Sequence, residues 1–121
     1  MLPDPVTIAA ASPTPSLVFA TVRSDGYGSE RVDTGGNGYT VIINHTKGKT
    51  GNRHYVKMTQ TKNATDPYSG LTKSVSSSCS ISIARSPFGF TDADIIALAK
   101  ALTDFRDDSE VTTAKLLTFQ S

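Results

Sequence analysis

Roughly the first 85 residues of this 121-residue chain read as strand and turn, and convincing helical periodicity begins only after them. A sheet that large has two faces to account for, and two short helices cannot cover even one of them. The missing cover must come from a partner: another copy of the chain, a ligand, or both. The hydrophobic fraction is only 37% and there is no tryptophan, which is thin for a free-standing monomer. The pattern points to assembly before it points to catalysis.

The elements follow from periodicity and turn chemistry. Val6 to Ala11 is a short β candidate, Ser12-Pro13-Thr14-Pro15 breaks it, and Leu17 to Arg23 resumes it as a hairpin within residues 1–24. Asp25-Gly26 and Gly28 form a turn, and Glu30 to Asp33 a short strand. Thr34-Gly35-Gly36-Asn37-Gly38 is a second turn, where positive φ is cheap. Tyr39 to Thr46 is a strong strand, Lys47 to Asn52 a hairpin loop, and Arg53 to Lys62 the returning strand. In that strand Val56 and Met58 alternate with Tyr55, Lys57 and Thr59. A loop over Asn63 to Gly70 leads to Thr72–Arg85, the clearest alternation of all. There Val75, Cys79, Ile81 and Ile83 fall on one face, and Ser74, Ser76, Ser78, Ser80 and Ser82 on the other.

Pro87 ends that strand. Thr91 is a helix N-cap with Asp94 three residues on, a capping box, and Ile95, Leu98, Leu102 and Phe105 follow at helical spacing. Asp107-Asp108-Ser109 interrupts the run, and Ser109 is the expected cap of a second short helix reaching about Phe119. The reading is one α+β domain over residues 1–121, with a hairpin (1–24), a meandering sheet (28–85) and helices (91–119).

Net charge is +1, but charge is unevenly spread. From Lys47 to Lys73 there are six basic residues against one acid, and from Ser86 to Ser121 three against six. If sheet and helices form opposite layers, one face is positive and the other negative. Cys79 is the only cysteine, so no intrachain disulfide forms, and its place in the strand predicts a small buried core residue. Met1 to Pro5 lacks the basic start and apolar run of a signal peptide, and no apolar stretch reaches the ~20 residues of a membrane span. A soluble protein that starts in a cytoplasm, with no membrane partner, is expected.

Motifs of catalysis are weak. Gly48-Lys49-Thr50 resembles the end of a phosphate-binding loop, but Ile43 stands where that pattern needs glycine. The Gly35–Gly38 run does not match a dinucleotide fingerprint. No Gly-x-Ser-x-Gly elbow is present. His45 and His54 can face each other across the hairpin, but a third and fourth metal ligand are missing, so they read as polar strand residues. No cofactor, metal or small-molecule substrate is implied. The basic strand face is the stronger signal. Arg53, Tyr55, Lys57, Thr59 and Thr61 alternate along it, Asn44 and Thr46 project from the neighbouring strand, and serines stand beside them. Charge, amide and hydroxyl groups on a flat sheet suit single-stranded RNA. An ordinary solvated face reads equally well from composition alone.

This order of elements resembles the coat proteins of small single-stranded RNA bacteriophages, the levivirus-like family. The central hairpin Tyr39-Thr40-Val41-Ile42-Ile43-Asn44-His45-Thr46 and Asn52-Arg53-His54-Tyr55-Val56-Lys57 carries the likeness, with Asp25-Gly26-Tyr27-Gly28-Ser29-Glu30 before it. The similarity spans almost the whole chain through short, degenerate motifs. It implies an interlocked homodimer in which each subunit's helices lie across its partner's sheet. It also implies closure of dimers into an icosahedral shell, commonly T=3, assembled in the bacterial host cytoplasm around genomic single-stranded RNA. In the virion the basic sheet face would meet the RNA.

By this resemblance Asn44, Thr46, Arg53, Tyr55, Lys57, Thr59, Ser76, Ser78 and Ser80 would face RNA, and Lys57 matches an RNA-contacting lysine of the family. Asp66, Pro67 and Tyr68 would lie in the loop around the shell's symmetry axes. Val75, Ile81, Ile83, Ile95, Leu98, Leu102 and Phe105 would form the dimer core. Relatives also repress translation by binding an RNA hairpin. The best-known ones use a base-stacking tyrosine where this chain has serines, so hairpin recognition in their manner does not follow, while general packaging does. A reading of another class is a non-viral β-rich module binding carbohydrate or protein through the serine face. An enzyme ranks third.

Overall fold

The computed structural model describes residues 2, 5–9 and 15–120. The break expected at Ser12-Pro13-Thr14 lies outside the described residues. Six strands run in sequence order: β1 (Val6–Ile8), β2 (Leu17–Ser24), β3 (Gly28–Asp33), β4 (Tyr39–Gly48), β5 (Gly51–Thr65) and β6 (Thr72–Arg85). They form one sheet in the order β1-β2-β3-β4-β5-β6, the meander that short turns between antiparallel neighbours produce. Two helices follow, α1 (Asp92–Asp107) and α2 (Thr113–Leu117). The chain divides into two compact units, Met1–Gly48 with Asn52–Ala84, and Lys49–Gly51 with Arg85–Ser121.

In the first unit the turn chemistry is visible residue by residue. Gly36 (φ 78°) and Gly38 (φ 80°) supply the left-handed backbone of the β3–β4 turn. Asp33 closes the same turn: its carboxylate accepts N–H groups from Gly35 and Asn37 at 3.1 Å each, and from Val18 across the strand pair at 3.3 Å. Burial pushes the Asp33 carboxyl upward, but these hydrogen bonds outweigh it and leave its pKa below the usual 3.8. Pairing of β2 with β3 slips between Thr21 and Arg23, a bulge that leaves Val22 in solvent. The core is Leu17, Phe19 and Val41, with Val6, Tyr39, Ile43 and Met58 packed against it. Phe19 is 2% exposed. A core this small is a thin apolar store for a sheet of six strands.

The second unit starts from a capping box. Thr91 Oγ1 accepts the Asp94 N–H at 3.3 Å, and Asp94 Oδ2 accepts the Thr91 N–H at 3.1 Å. Asp92 and Asp94 sit at the positive end of α1, and Arg106 in its last turn. Arg85 ion-pairs with Asp92 and donates to the Phe90 carbonyl at 3.0 Å, so one guanidinium ties down the connecting loop. The second helix differs from expectation. Its cap is Thr112, whose Oγ1 accepts the Lys115 N–H, and α2 has only five residues. Ser109 instead lies in the preceding turn, where its carbonyl accepts from Lys115 Nζ at 3.3 Å.

The sheet has unequal edges. β1 contributes a three-residue edge, while β6 contributes one of fourteen residues. Val75 and Ile81 of β6 are 44% and 49% exposed, and Cys79 is exposed rather than buried as its alternation suggested. The reason is position: an edge strand has its apolar side chains covered only if something is laid over them. On α1, Leu98, Leu102 and Phe105 are 61%, 58% and 62% exposed. Only Ile95 and Ile83 of the expected dimer core are half-buried.

Candidate nucleic-acid interface

Two hydrogen bonds fix the register of β4 against β5. His45 Nδ1 lies 2.9 Å from His54 Nδ1, and at the other end the Thr61 N–H donates to the Gly38 carbonyl at 3.0 Å. Both describe the same unslipped antiparallel pairing. Alternation from the histidine rung puts Ile43, Val56, Val41 and Met58 on the histidine side, in keeping with the core. The opposite face then carries Asn44, Thr46, Arg53, Tyr55, Lys57 and Thr59, interrupted by Ile42. Asn44, Thr46 and Arg53 are exposed, and Tyr55, Lys57 and Thr59 half-buried.

The β5–β6 turn extends this face. The Asp66 N–H donates to the Leu71 carbonyl at 2.9 Å, and the Gly70 N–H to the Asp66 carbonyl at 2.8 Å. Unslipped pairing from that rung matches residues 52–65 one for one with the fourteen residues of β6. Ser80 then stands across from Lys57 and Ser78 across from Thr59, with Ser76 one rung further. All three serines are exposed. The candidate residues from β4, β5 and β6 therefore share one side of the sheet.

The electrostatics of that side are mildly positive. Arg53 and Lys57 project from it. Glu30, opposite Ile42 on β3, is the nearest acid by register, and Arg23 lies 4.0 Å from its carboxylate. A lysine or arginine beside hydroxyls and one aromatic ring can hold phosphate and stack a base. It offers no nucleophile with an adjacent general base, and among the described residues no three His, Cys, Asp or Glu side chains gather to hold a metal. Among the described residues no helix is long and apolar enough to cross a membrane.

Asp66, Pro67 and Tyr68 form the turn at the end of the β5–β6 pair. Asp66 Oδ1 accepts the Tyr68 N–H at 2.8 Å, the main cause of a carboxyl pKa below 3.8. Tyr68 is 98% exposed. Sequence reasoning did not single out Arg31 and Asp33, both buried in β3. The Asp-x-Gly-x-Asn spacing from Asp33 to Asn37 was the available signal for the second. It also missed a depression of about 320 Å³ whose lining includes Tyr27, Arg31, Ile43 and His45. Lys47 Nζ lies 5.6 Å from the centre of the neighbouring Tyr27 ring.

Comparison with known proteins gives a consistent result. Residues 3–86 match the family model described as phage phiCb5, coat protein. Among solved structures, the virus-like particle of bacteriophage AVE019 aligns with a TM-score of 0.78 at 16% identity, covering 90% of each chain. The bacteriophage EMS014 coat protein aligns at 0.63 and 16% identity, over 93% of this chain and 79% of the other. The virus-like particle of Beihai levi-like virus 21 aligns at 0.61 and 8% identity, over 88% and 87%. At these identities the structures establish a shared fold. No curated protein sequence matches.

Proposed function

The chain belongs to the phage phiCb5 coat protein family, and on that premise we propose that it pairs with a second copy through β6, closes into a shell and packages single-stranded RNA against its basic face. Family membership makes it a structural capsid protein of the virion rather than an enzyme. The fold is that of levivirus-like coat proteins.

One observation carries the dimer: the fourteen-residue β6 edge with exposed apolar side chains, matched by an exposed apolar stripe on α1. An edge that long attracts another strand, and a second copy supplies both that strand and a cover of oily helix. In this reading the chain acts as a single coat domain, and Val75, Ile81, Ile83, Ile95, Leu98, Leu102 and Phe105 meet their counterparts in the dimer. Asp66, Pro67 and Tyr68 contact neighbouring dimers, and a T=3 shell assembled in the host cytoplasm is the expected product.

The RNA reading rests on Arg53, Lys57, Tyr55, Asn44, Thr46, Thr59 and the three serines sharing one face. Of these, Lys57 and Arg53 supply charge and Tyr55 the stacking surface. Repression through an RNA hairpin would use the same surface. The test is Lys57→Glu in a bacterial expression host. Particles should form with RNA content reduced at least severalfold, read as the 260 to 280 nm absorbance ratio. Undiminished RNA in intact variant particles would remove Lys57 from the interface, and particles of the native protein free of RNA would remove the interface itself.

A further inference from the structure

The histidine rung of the β4–β5 pair lies on the side of the sheet away from the candidate RNA face, and the coat function makes no use of it. His45 and His54 present the same ring nitrogen to each other, Nδ1 to Nδ1 at 2.9 Å, with ring centroids 5.1 Å apart and planes at 68°. In the metal-free protein this is a hydrogen bond in which one imidazole carries its proton on Nδ1 and the other accepts. Within one chain His45 is exposed and His54 half-buried, and Ile83 of β6 stands across from His54 by register, so the rung borders the surface assigned above to the second copy. Ile43 and Val56 occupy the next rung by register, so the rings stand beside apolar neighbours.

We propose that His45 and His54 form a two-histidine chelate for a divalent transition-metal ion such as Ni²⁺ or Cu²⁺. The distance argues for the class of ion. Imidazole nitrogens bind such ions at ~2.0–2.1 Å, so two nitrogens 2.9 Å apart subtend about 90° at the metal. That is the cis angle of square-planar and octahedral ions, whereas a tetrahedral ion asks for nitrogens about 3.4 Å apart. The rings now aim their Nδ1 atoms at each other, with centroids 5.1 Å apart, so loading turns both rings until the lone pairs converge on the ion; imidazole suits Ni²⁺ and Cu²⁺, and hard Mg²⁺ does not select it. On loading, the bridging Nδ1 proton moves to Nε2 of the same ring, so both Nδ1 lone pairs face the ion and a neutral pair releases no proton.

With no third protein ligand among the described residues, water completes the coordination shell. The backbone is already fixed there, because the His45 N–H donates to the Tyr27 carbonyl at 2.7 Å and β5 holds His54 on the other side. Lys47, on the same face of β4, is drawn over the Tyr27 ring at 5.6 Å, on the β3 side of His45, and the buried Arg31 lines the same depression as His45. The site would clamp the hairpin by linking two strands through one ion.

The experiment is equilibrium dialysis of the purified native protein against Ni²⁺, with Mg²⁺ in excess to occupy RNA phosphates, alongside His45→Gln and His54→Gln. The native protein should retain about one equivalent of Ni²⁺ per chain. Each variant should bind at least tenfold more weakly. Equal retention by native protein and variants, or no retention by the native protein, overturns the proposal. X-ray absorption of the Ni²⁺-loaded native protein provides a readout independent of variant folding. Two imidazole nitrogens at the metal support the site, and one or none rules it out.

Discussion

The Asp33 carboxylate accepts the Val18 backbone N–H at 3.3 Å, so a single buried acid joins β2 to the turn that follows β3. Its pKa lies below the usual 3.8 because the hydrogen bonds it accepts outweigh the effect of burial. The folded state binds its proton less readily than the unfolded state, so the contribution is present above about pH 4 and lost as pH falls through the folded value. Asp33→Asn should lower stability at neutral pH and flatten the pH dependence of unfolding below about pH 4. Thermal melts across that range check both.

Thr91 and Asp94 cap each other at the start of α1. Thr91→Ala should cost about 1 kcal/mol, typical of a lost N-cap, without changing the β-sheet. Chemical unfolding followed by far-ultraviolet circular dichroism measures it.

Gly36 and Gly38 offer a paired comparison. Both have positive φ, but a Cβ on Gly38 would strike the Thr61 carbonyl, while one on Gly36 meets open space. Gly36→Ala should cost roughly 1–2 kcal/mol, the left-handed backbone penalty alone. Gly38→Ala should cost more and lower the yield of folded protein. Equal melting temperatures for the two variants would contradict the close approach of the β3–β4 turn to β5.

Leu102 is 58% exposed on α1 and Ile81 is 49% exposed on β6. If both are covered by a second copy, Leu102→Asp or Ile81→Asp places an unpaired charge in the interface. Either should abolish particles and weaken the dimer by several kcal/mol. Sedimentation velocity separates particle, dimer and monomer.

Much of this architecture was legible because its signals are local. Serine alternating with Val75, Ile81 and Ile83 gave β6 its observed limits, and Thr91 with Asp94 marked the start of α1. The face shared by Asn44, Thr46, Arg53, Tyr55 and Lys57 followed from period two, once the hairpin was assumed to be unslipped. What escaped depends on position in the whole sheet. Cys79 reads as core by residue type, but it lies on an edge strand that one chain leaves uncovered. Arg31 and Asp33 carry no burial signal in their residue types, yet the fold buries them. The polar run Asn63–Thr65 carries no strand signal, yet pairing with β6 keeps it extended. The second helix is capped by Thr112, with φ 37°, a backbone state residue type does not announce for threonine.

The central claim is that one chain is an incomplete object and its twin completes it. The mass of the purified native protein, read by light scattering and by electron microscopy of the same sample, addresses this most directly. Closed particles that dissociate into dimers, and no further without unfolding, are the predicted result. A stable, folded monomer across salt concentrations would contradict it.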